Sequence, residues 1–281
     1  MGKFDGVLLV SDYDNTLVYT QSIFDGGGAV PPIPPYNLQR LRYFTENGGR
    51  FTLVSGRTWA LVEHLLPGLP INAPVGIGNG AGLMDPATGA YLYQHTLPER
   101  VTADMEAILA AFPALSCEIY CADHTCYAIR PCPFTYRHAS YSGYTFTVVE
   151  DLRQCPQPLL KILFEGENRE ELVRVADFIS AQSWAGAYEL IFSKDTLLEF
   201  AAKGAVKGNL VRKLAELCGV SMEHVYCIGD QENDLTMLQA AKEGFCPADA
   251  AEVVLRAGAT VLRPCQEGAV GELVDRLDAL Y

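Results

Sequence analysis

The order of apolar segments along the chain is the feature that most constrains its fold. Short apolar runs at 4–10 and 51–54 alternate with segments whose apolar residues have helical spacing. The same alternation returns late in the chain, with a helical pattern at 206–218 and an apolar run at 225–228. Strands that alternate with helices form a parallel sheet with right-handed crossovers. Both ends of the chain therefore predict α/β structure.

The middle of the chain has a different pattern. Apolar runs such as 126–129 and 159–164 are frequent there and do not alternate regularly with helices. This pattern predicts a separate α+β unit, at 83–198, inserted into an open α/β domain. We expect that domain, a Rossmann-like core with a parallel sheet, to be formed by 1–82 and 199–281 together.

The charge of the chain restricts its partners. Its 21 Lys plus Arg and 34 Asp plus Glu give a formal net charge of −13, which disfavours binding to nucleic acid or to an anionic membrane. No apolar run approaches the roughly 18 residues that span a bilayer, and the apolar N-terminal stretch is too short for a signal peptide. We therefore expect a cytoplasmic protein, whose site for any anionic substrate must supply a metal ion or local positive charge.

The cysteines are expected to be reduced thiols, because there are nine of them in a chain without an export signal. Four lie close together in the sequence, at Cys117, Cys121, Cys126 and Cys132, but no Cys-x-x-Cys pair occurs. Zinc sites built from cysteine use closely paired ligands. We therefore expect these thiols to pack in the core or lie at the surface.

Polar residues that directly follow the apolar strands are the candidates for chemistry, because ligands of open α/β sheets bind at the carboxyl ends of strands. Three such groups are present: Asp12 and Asp14 after the first strand, Ser55, Gly56 and Arg57 after the second, and Asp230, Asn233 and Asp234 after a late strand.

The acidic pair Asp12 and Asp14 favours a metal site. Two residues apart in an extended segment, both carboxylates point the same way, and they repel each other unless a cation lies between them. Oxygen ligands of this kind suit Mg²⁺. Alone, the pair is also typical of an acidic turn or a helix cap, and Asp230 and its neighbours are typical of a helix start. Lys207 lies near a predicted helix start, an unfavourable place for a cation unless it reaches an anion.

In combination, these motifs resemble the haloacid dehalogenase superfamily. The chain has, in order, Asp-x-Asp-x-Thr at 12–16, Ser-Gly-Arg at 55–57, Lys-Gly at 207–208 and Gly-Asp-x-x-Asn-Asp at 229–234. The segments 79–81, 204–208 and 233–238 narrow the resemblance to its Cof-type branch (subclass IIB), in which a large α/β cap is inserted between the second and third motifs.

Two departures from the family pattern stand out. Asn15 lies where the family commonly has glycine, and we expect its side chain to face the site entrance or solvent. The loop at 25–35, rich in glycine and proline, is somewhat long for the branch, and contact with the cap or the substrate is one interpretation of its length.

The resemblance implies a mechanism and a metal. Asp12 attacks phosphorus and forms an aspartyl-phosphate, while Asp14 protonates the leaving oxygen and later activates water. Asp12, Asp230 and the backbone carbonyl of Asp14 hold Mg²⁺, with Asp234 as a direct or indirect ligand.

The remaining motif residues are implied to hold the phosphoryl group. Ser55 and the adjacent Gly56 contact phosphate oxygens, and Lys207 neutralises developing charge. Asn233 helps to orient the phosphate or the lysine. Arg57 is either a phosphate ligand or one partner of a surface ion pair.

The expected activity is that of a Mg²⁺-dependent phosphatase acting on a small phosphorylated metabolite such as a sugar phosphate. Cap residues would set specificity, and the candidates are Arg130, Arg137 and His138, for which a solvated surface cation is the alternative interpretation. A phosphotransferase or phosphomutase on the same scaffold remains open. A catalytically silent binding protein is disfavoured, because all the core motif residues are present.

Overall fold

The computed structural model describes residues 2–21 and 31–281. Most of the glycine- and proline-rich loop at 25–35 therefore lies outside the described residues. The chain divides into two compact units. The first is formed by Met1–Gly56, Val62–Tyr93 and Val206–Tyr281, and the second by Arg57–Leu61 and Gln94–Ala205.

The α-helices of the described residues lie in both units. In chain order they are α1 (Pro35–Glu46), α2 (Trp59–Val62), α3 (Val101–Ala111), α4 (Pro133–Ser142), α5 (Arg169–Ser180), α6 (Lys207–Cys218), α7 (Leu235–Ala240), α8 (Glu252–Leu255) and α9 (Ala269–Leu280).

The strands of the described residues form three sheets. In chain order they are β1 (Leu8–Ser11), β2 (Arg50–Leu53), β3 (Val75–Ile77), β4 (Gly82–Met84), β5 (Tyr91–Gln94), β6 (Ser116–Cys121), β7 (Cys126–Ile129), β8 (Thr147–Val148), β9 (Leu159–Glu165), β10 (Tyr188–Lys194), β11 (Leu197–Ala202), β12 (Val225–Ile228), β13 (Glu243–Pro247) and β14 (Thr260–Leu262).

The first unit is built on a five-stranded sheet in the order β14-β13-β12-β1-β2. All four strand pairings are parallel. The central strands β1 and β12 are buried along their whole length, as expected when helices cover both faces of a parallel sheet. This sheet confirms the predicted α/β core.

The second unit is built on a six-stranded sheet in the order β10-β11-β9-β6-β7-β8. Its pairings are antiparallel except the short one between β7 and β8. An apolar core that includes Ile119, Ile162 and Phe200 packs with residues of α3 and α5 such as Ile108 and Val175. This antiparallel sheet confirms that the inserted unit has an α+β architecture.

Glycine and proline account for the ends of two helices. Helix α1 has a proline at its first position, where no backbone N–H is needed. Helix α6 begins directly after the extended residue Val206 and ends at Gly219, whose φ of 64° is left-handed. The start of α6 matters for function, because it fixes the position of Lys207.

None of the helices within residues 2–21 and 31–281 has both the length and the apolar character needed to cross a lipid bilayer.

Candidate active site

The two central strands bring distant aspartates to one edge of the sheet. Strand β1 pairs with β12 so that Ser11 lies beside Ile228. The chain leaves both strands here, and the Asp12 amide still donates to the Ile228 carbonyl at 2.9 Å. Asp12 and Asp230 therefore emerge next to each other, although they are far apart in the sequence.

Three buried carboxylates meet at this edge. Ligand oxygens of Asp12, Asp230 and Asp234 all lie within 4.8 Å of one another, and each of the three side chains is at most 5% exposed. The Thr16 hydroxyl donates to Asp230 Oδ1 at 2.8 Å, which explains the threonine that ends the first motif.

Asp234 is held in place by the loop that precedes it. Its Oδ2 accepts hydrogen bonds from the backbone N–H groups of Asp230 and Gln231, both at 2.9 Å. A Cβ atom at Gly229 would lie 2.5 Å from Asp234 Cβ, too close for any residue other than glycine without a shift. The glycine and both aspartates of this motif are thus explained by one compact loop.

Lys207 joins two of these carboxylates. Its Nζ lies 2.9 Å from Asp12 Oδ1 and 2.5 Å from Asp234 Oδ1, and its side chain is fully buried. The helix that carries it packs closely on α7, because Gly208 donates to Thr236 Oγ1 at 3.0 Å. A Cβ at Gly208 would lie only 2.3 Å from the Thr236 carbonyl oxygen. The predicted reason for a lysine at this helix start, contact with an anion, is what the structure shows.

The electrostatics of the cluster favour an additional cation. Lys207 offsets one of three buried negative charges. Burial, opposed by Lys207 and reinforced by Asp234 and Asp14, raises the pKa of Asp12 to about 7. Burial, with Asp234 and Asp12, raises the pKa of Asp230 well above its usual range. Carboxylate oxygens at this spacing fit a divalent metal ion, which would stabilise their ionised forms.

A second polar group forms around Asn79. Ser55 lies just past β2 and is buried; its N–H donates to the Gly76 carbonyl at 3.0 Å, and its carbonyl accepts from the Asn79 N–H at 3.1 Å. The Asn233 amide donates to Asn79 Oδ1 at 2.9 Å. Asn79, with a left-handed φ of 55°, thus connects the loop of Ser55 with the loop of the late acidic motif.

Close packing also explains the glycine after Ser55. A Cβ atom at Gly56 would lie 2.9 Å from the side-chain nitrogen of Asn79. Asn79 was predicted only as part of a motif and without a role. Its position before the insert was the one available signal.

Asp14 and Arg57, two further predicted site residues, do not belong to the three-aspartate cluster. Asp14 is half-buried and forms an isolated β-bridge with Val18; its carboxylate is not part of the three-aspartate cluster found among the described residues. Arg57 belongs to the second compact unit.

The Asn15 side chain, which was expected to face the site entrance or solvent, is hydrogen-bonded within its own loop. Asn15 is half-buried with a left-handed φ of 54°. Its Oδ1 accepts hydrogen bonds from the N–H groups of Thr20 at 3.0 Å and Gln21 at 2.8 Å. Asparagine tolerates this backbone conformation and adds turn hydrogen bonds that glycine cannot make.

The specificity candidates of the second unit are held by different partners. The Arg130 guanidinium donates to the carbonyls of Leu109 and Phe112, both at 3.1 Å, at the end of α3. His138 lies 2.9 Å from Glu118, and Arg137 is exposed. The contacts of Arg130 are those of a helix cap.

Comparison with known proteins agrees with this fold and site, a parallel α/β core with an acidic, lysine-containing centre. The family model of haloacid dehalogenase-like hydrolases matches residues 9–274. The chain therefore belongs to this family.

Individual relatives point to one class of enzyme. The HMP-PP phosphatase of Escherichia coli is 25% identical over 216 residues, 77% of this chain and 83% of the relative. A haloacid dehalogenase-like hydrolase from Bacteroides thetaiotaomicron has a TM-score of 0.79 at 24% identity, with 96% of this chain and 99% of that chain covered. A subclass IIB sugar phosphatase has a TM-score of 0.81 at 19% identity, covering 97% and 99%. The class of enzyme is a phosphatase.

Proposed function

We propose that the chain is a Mg²⁺-dependent phosphatase that hydrolyses a small phosphorylated metabolite, such as a sugar phosphate, through an aspartyl-phosphate on Asp12. The observation that carries this proposal is the position of Asp12. Its carboxylate lies beside two others at a spacing that suits one cation, and Lys207 Nζ contacts it at 2.9 Å. A carboxylate can approach a phosphate dianion only where cations reduce their mutual repulsion.

The proposed chemical steps give each aspartate of the first motif one role. An Asp12 oxygen attacks phosphorus, and the bond from phosphorus to the leaving oxygen breaks as Asp14 donates a proton to that oxygen. Asp14, now ionised, takes a proton from water, whose oxygen attacks phosphorus. The bond from phosphorus to Asp12 breaks, inorganic phosphate leaves, and both aspartates return to their starting states.

The proposed metal ligands are Asp12, Asp230 and the backbone carbonyl of Asp14. Asp234 contributes a third carboxylate, but its oxygens already accept from Lys207 and from two backbone N–H groups. We therefore assign Asp234 chiefly to holding Lys207 and the loop in place. When bound, Mg²⁺ supplies positive charge that lets the nucleophile and the phosphoryl oxygens come together.

The phosphate contacts are assigned to Ser55, Gly56 and Lys207. Asn233 acts through Asn79, because the Asn233 amide donates to that residue and the Asn79 N–H donates to the Ser55 carbonyl. This chain of hydrogen bonds fixes the loop that presents Ser55. Arg57 remains a candidate phosphate ligand. The substrate class rests on the relatives named for HMP-PP and sugar phosphates. The cap boundaries, 83–198, and the cytoplasmic location remain predictions.

The test is release of p-nitrophenol from p-nitrophenyl phosphate by the purified chain. We expect turnover with Mg²⁺, loss of turnover with EDTA, and recovery when Mg²⁺ is restored. Asp12→Asn should reduce turnover to background, because an amide is not a nucleophile of comparable strength. The matched control is Asp177→Asn, an exposed aspartate in α5 of the second unit, which should keep wild-type activity.

Retained turnover in Asp12→Asn would remove the covalent mechanism, and turnover that EDTA leaves unchanged would remove the metal requirement. Analysis of products from a hexose phosphate mixture separates hydrolysis from transfer. Inorganic phosphate is the expected product, whereas a new phosphorylated sugar would identify a phosphotransferase.

A further inference from the structure

A second cluster of potential metal ligands lies in the second unit. Glu118, His138 and Glu165 each offer one ligand atom, and these atoms all lie within 4.8 Å of one another. Strands β6 and β9 pair Ser116 with Glu165 and Glu118 with Leu163. Glu118 and Glu165 are thus diagonal neighbours on one face of the antiparallel sheet. His138 comes from α4, so the cluster joins a helix to two strands.

One oxygen of this cluster is buried without a hydrogen-bond donor. Glu165 is 4% exposed. Its Oε2 accepts hydrogen bonds from the hydroxyls of Ser116, at 2.7 Å, and Thr135. Among the described residues, its Oε1 has no hydrogen-bond partner. Two buried carboxyl groups side by side require either a hydrogen bond through a shared proton, which Glu165 and Glu118 can form, or a cation between them.

The charges around the cluster indicate that the occupant is positive. Glu118 is fully buried and lies 2.9 Å from His138 Nδ1. Lys161 lies on the same sheet, but its Nζ is paired with Glu199 at 2.8 Å. Burial, together with Glu118, raises the pKa of Glu165 to about 9. A proton therefore competes with a metal cation for the Glu165 carboxylate.

We propose that Glu118, His138 and Glu165 bind Zn²⁺, which fastens α4 to the antiparallel sheet. One imidazole and two carboxylates form a donor set that suits zinc, whereas Mg²⁺ prefers oxygen ligands alone. The spacing of the ligand atoms allows one ion to reach all three after small side-chain movements. The site differs from the three-aspartate cluster in unit, donor chemistry and expected metal.

The surroundings of the three ligands resemble the supporting contacts of metal sites. The Tyr120 hydroxyl donates to Glu118, and such a contact orients a ligand and sets its basicity. The Tyr144 hydroxyl lies 3.0 Å from His138 Nδ1, so zinc bound through this nitrogen would replace that contact. The His138 side chain is 16% exposed, which gives the ion a route from solvent.

The test measures zinc directly and does not depend on phosphatase activity. The purified chain is stripped with a chelator, incubated with Zn²⁺ in the presence of excess Mg²⁺ to occupy the three-aspartate cluster, desalted and analysed by mass spectrometry of its metal content. We expect the wild type to retain one zinc ion per chain. His138→Asn and Glu165→Gln should lose it, and Zn²⁺ should raise the unfolding temperature of the wild type but not of these two variants.

Two control variants distinguish zinc binding at this site from binding at an exposed histidine or at the three-aspartate cluster. His64→Asn changes a histidine that is 78% exposed and should keep the zinc. Asp12→Asn should also keep it, so failure of the proposed phosphatase mechanism leaves this result intact. The proposal is overturned if the wild type retains no zinc, or if His138→Asn retains as much as the wild type. It is also overturned if X-ray absorption of the zinc-loaded wild type shows no imidazole ligand, a result that requires no variant to fold.

Discussion

Replacing Lys207 by methionine should weaken both the fold and the catalysis. Methionine has a similar length but no charge, so it removes both ion pairs of Lys207 and fills much of its space. The lysine side chain is fully buried between Asp12 and Asp234, with N–O distances of 2.9 and 2.5 Å. Its loss leaves three buried carboxylates without their cation.

The size of the effect follows from these two contacts. Removing one partner of a buried ion pair costs about 3 to 5 kcal/mol, because the remaining charge stays buried without compensation. We therefore expect the free energy of unfolding to fall by about 3 to 5 kcal/mol in metal-free buffer. Excess Mg²⁺ should restore part of this loss. Turnover of p-nitrophenyl phosphate should fall by about 100- to 1,000-fold, since one preorganised donor to the transferring group is missing.

Urea unfolding followed by circular dichroism, with and without Mg²⁺, measures the first effect. The matched control is Lys213→Met on the same helix, where the lysine is 34% exposed and pairs with Glu216 at the surface; we expect a change within about 0.5 kcal/mol. A decrease of less than about 1 kcal/mol in the free energy of unfolding of Lys207→Met would refute this prediction, because removing a lysine that compensates buried charges should destabilise the fold by more than that.

Three further substitutions test separate features. Gly208→Ala should lower the free energy of unfolding by about 2 kcal/mol or more in urea titrations, because its Cβ would lie 2.3 Å from the Thr236 carbonyl oxygen. Asn15→Ala should lower it by about 1 to 2 kcal/mol, since the loop loses the hydrogen bonds of a residue with positive φ; unchanged stability would contradict this role. Hydrogen bonds from Lys3 and Tyr43 lower the pKa of Asp278 from 3.8 to about 2, so its contribution is present above the unfolded pKa and is lost as pH falls toward 2. Thermal unfolding should show a smaller loss between about pH 4 and pH 2 in Asp278→Asn than in the wild type.

The parallel core was predictable because its strands are apolar and end at polar residues. The run at 225–228 matches β12, and the edge at which Asp12 and Asp230 meet follows from parallel pairing alone. The first strand was predicted at 4–10 but begins only at Leu8. The residues before it form a turn, in which the Asp5 N–H donates to the Gly2 carbonyl and Gly6 has a φ of 79°.

Elements with weak apolar patterns were not predicted. Helix α4 lacks a clear apolar stripe and is rich in polar residues. Strand β10 is only partly buried along most of its length, and its apolar run, 190–192, is short. Strand β3 has three residues and contains Gly76. Each of these elements depends on tertiary partners rather than on local sequence preference.

The cluster of Glu118, His138 and Glu165 was hidden for a related reason. Its two glutamates lie in strands that are otherwise mostly apolar, and its histidine lies on a helix that the sequence did not reveal. The diagonal placement of the glutamates requires the antiparallel register. By contrast, the roles of Gly229 and Asn79 depend on close packing and on a hydrogen bond, and the sequence motifs alone do not reveal these contacts.

Covalent transfer of the phosphoryl group to Asp12 is tested most directly by trapping it. The wild type is mixed with p-nitrophenyl phosphate and Mg²⁺, quenched in acid within one turnover, reduced with borohydride and digested for peptide mass spectrometry. We predict reduction of the carboxyl group at position 12 alone. The fraction of chains modified there should rise as the phosphoryl-enzyme forms and fall as it is hydrolysed. Active enzyme in which position 12 is never modified, or in which another side chain carries the phosphoryl group, would contradict the mechanism.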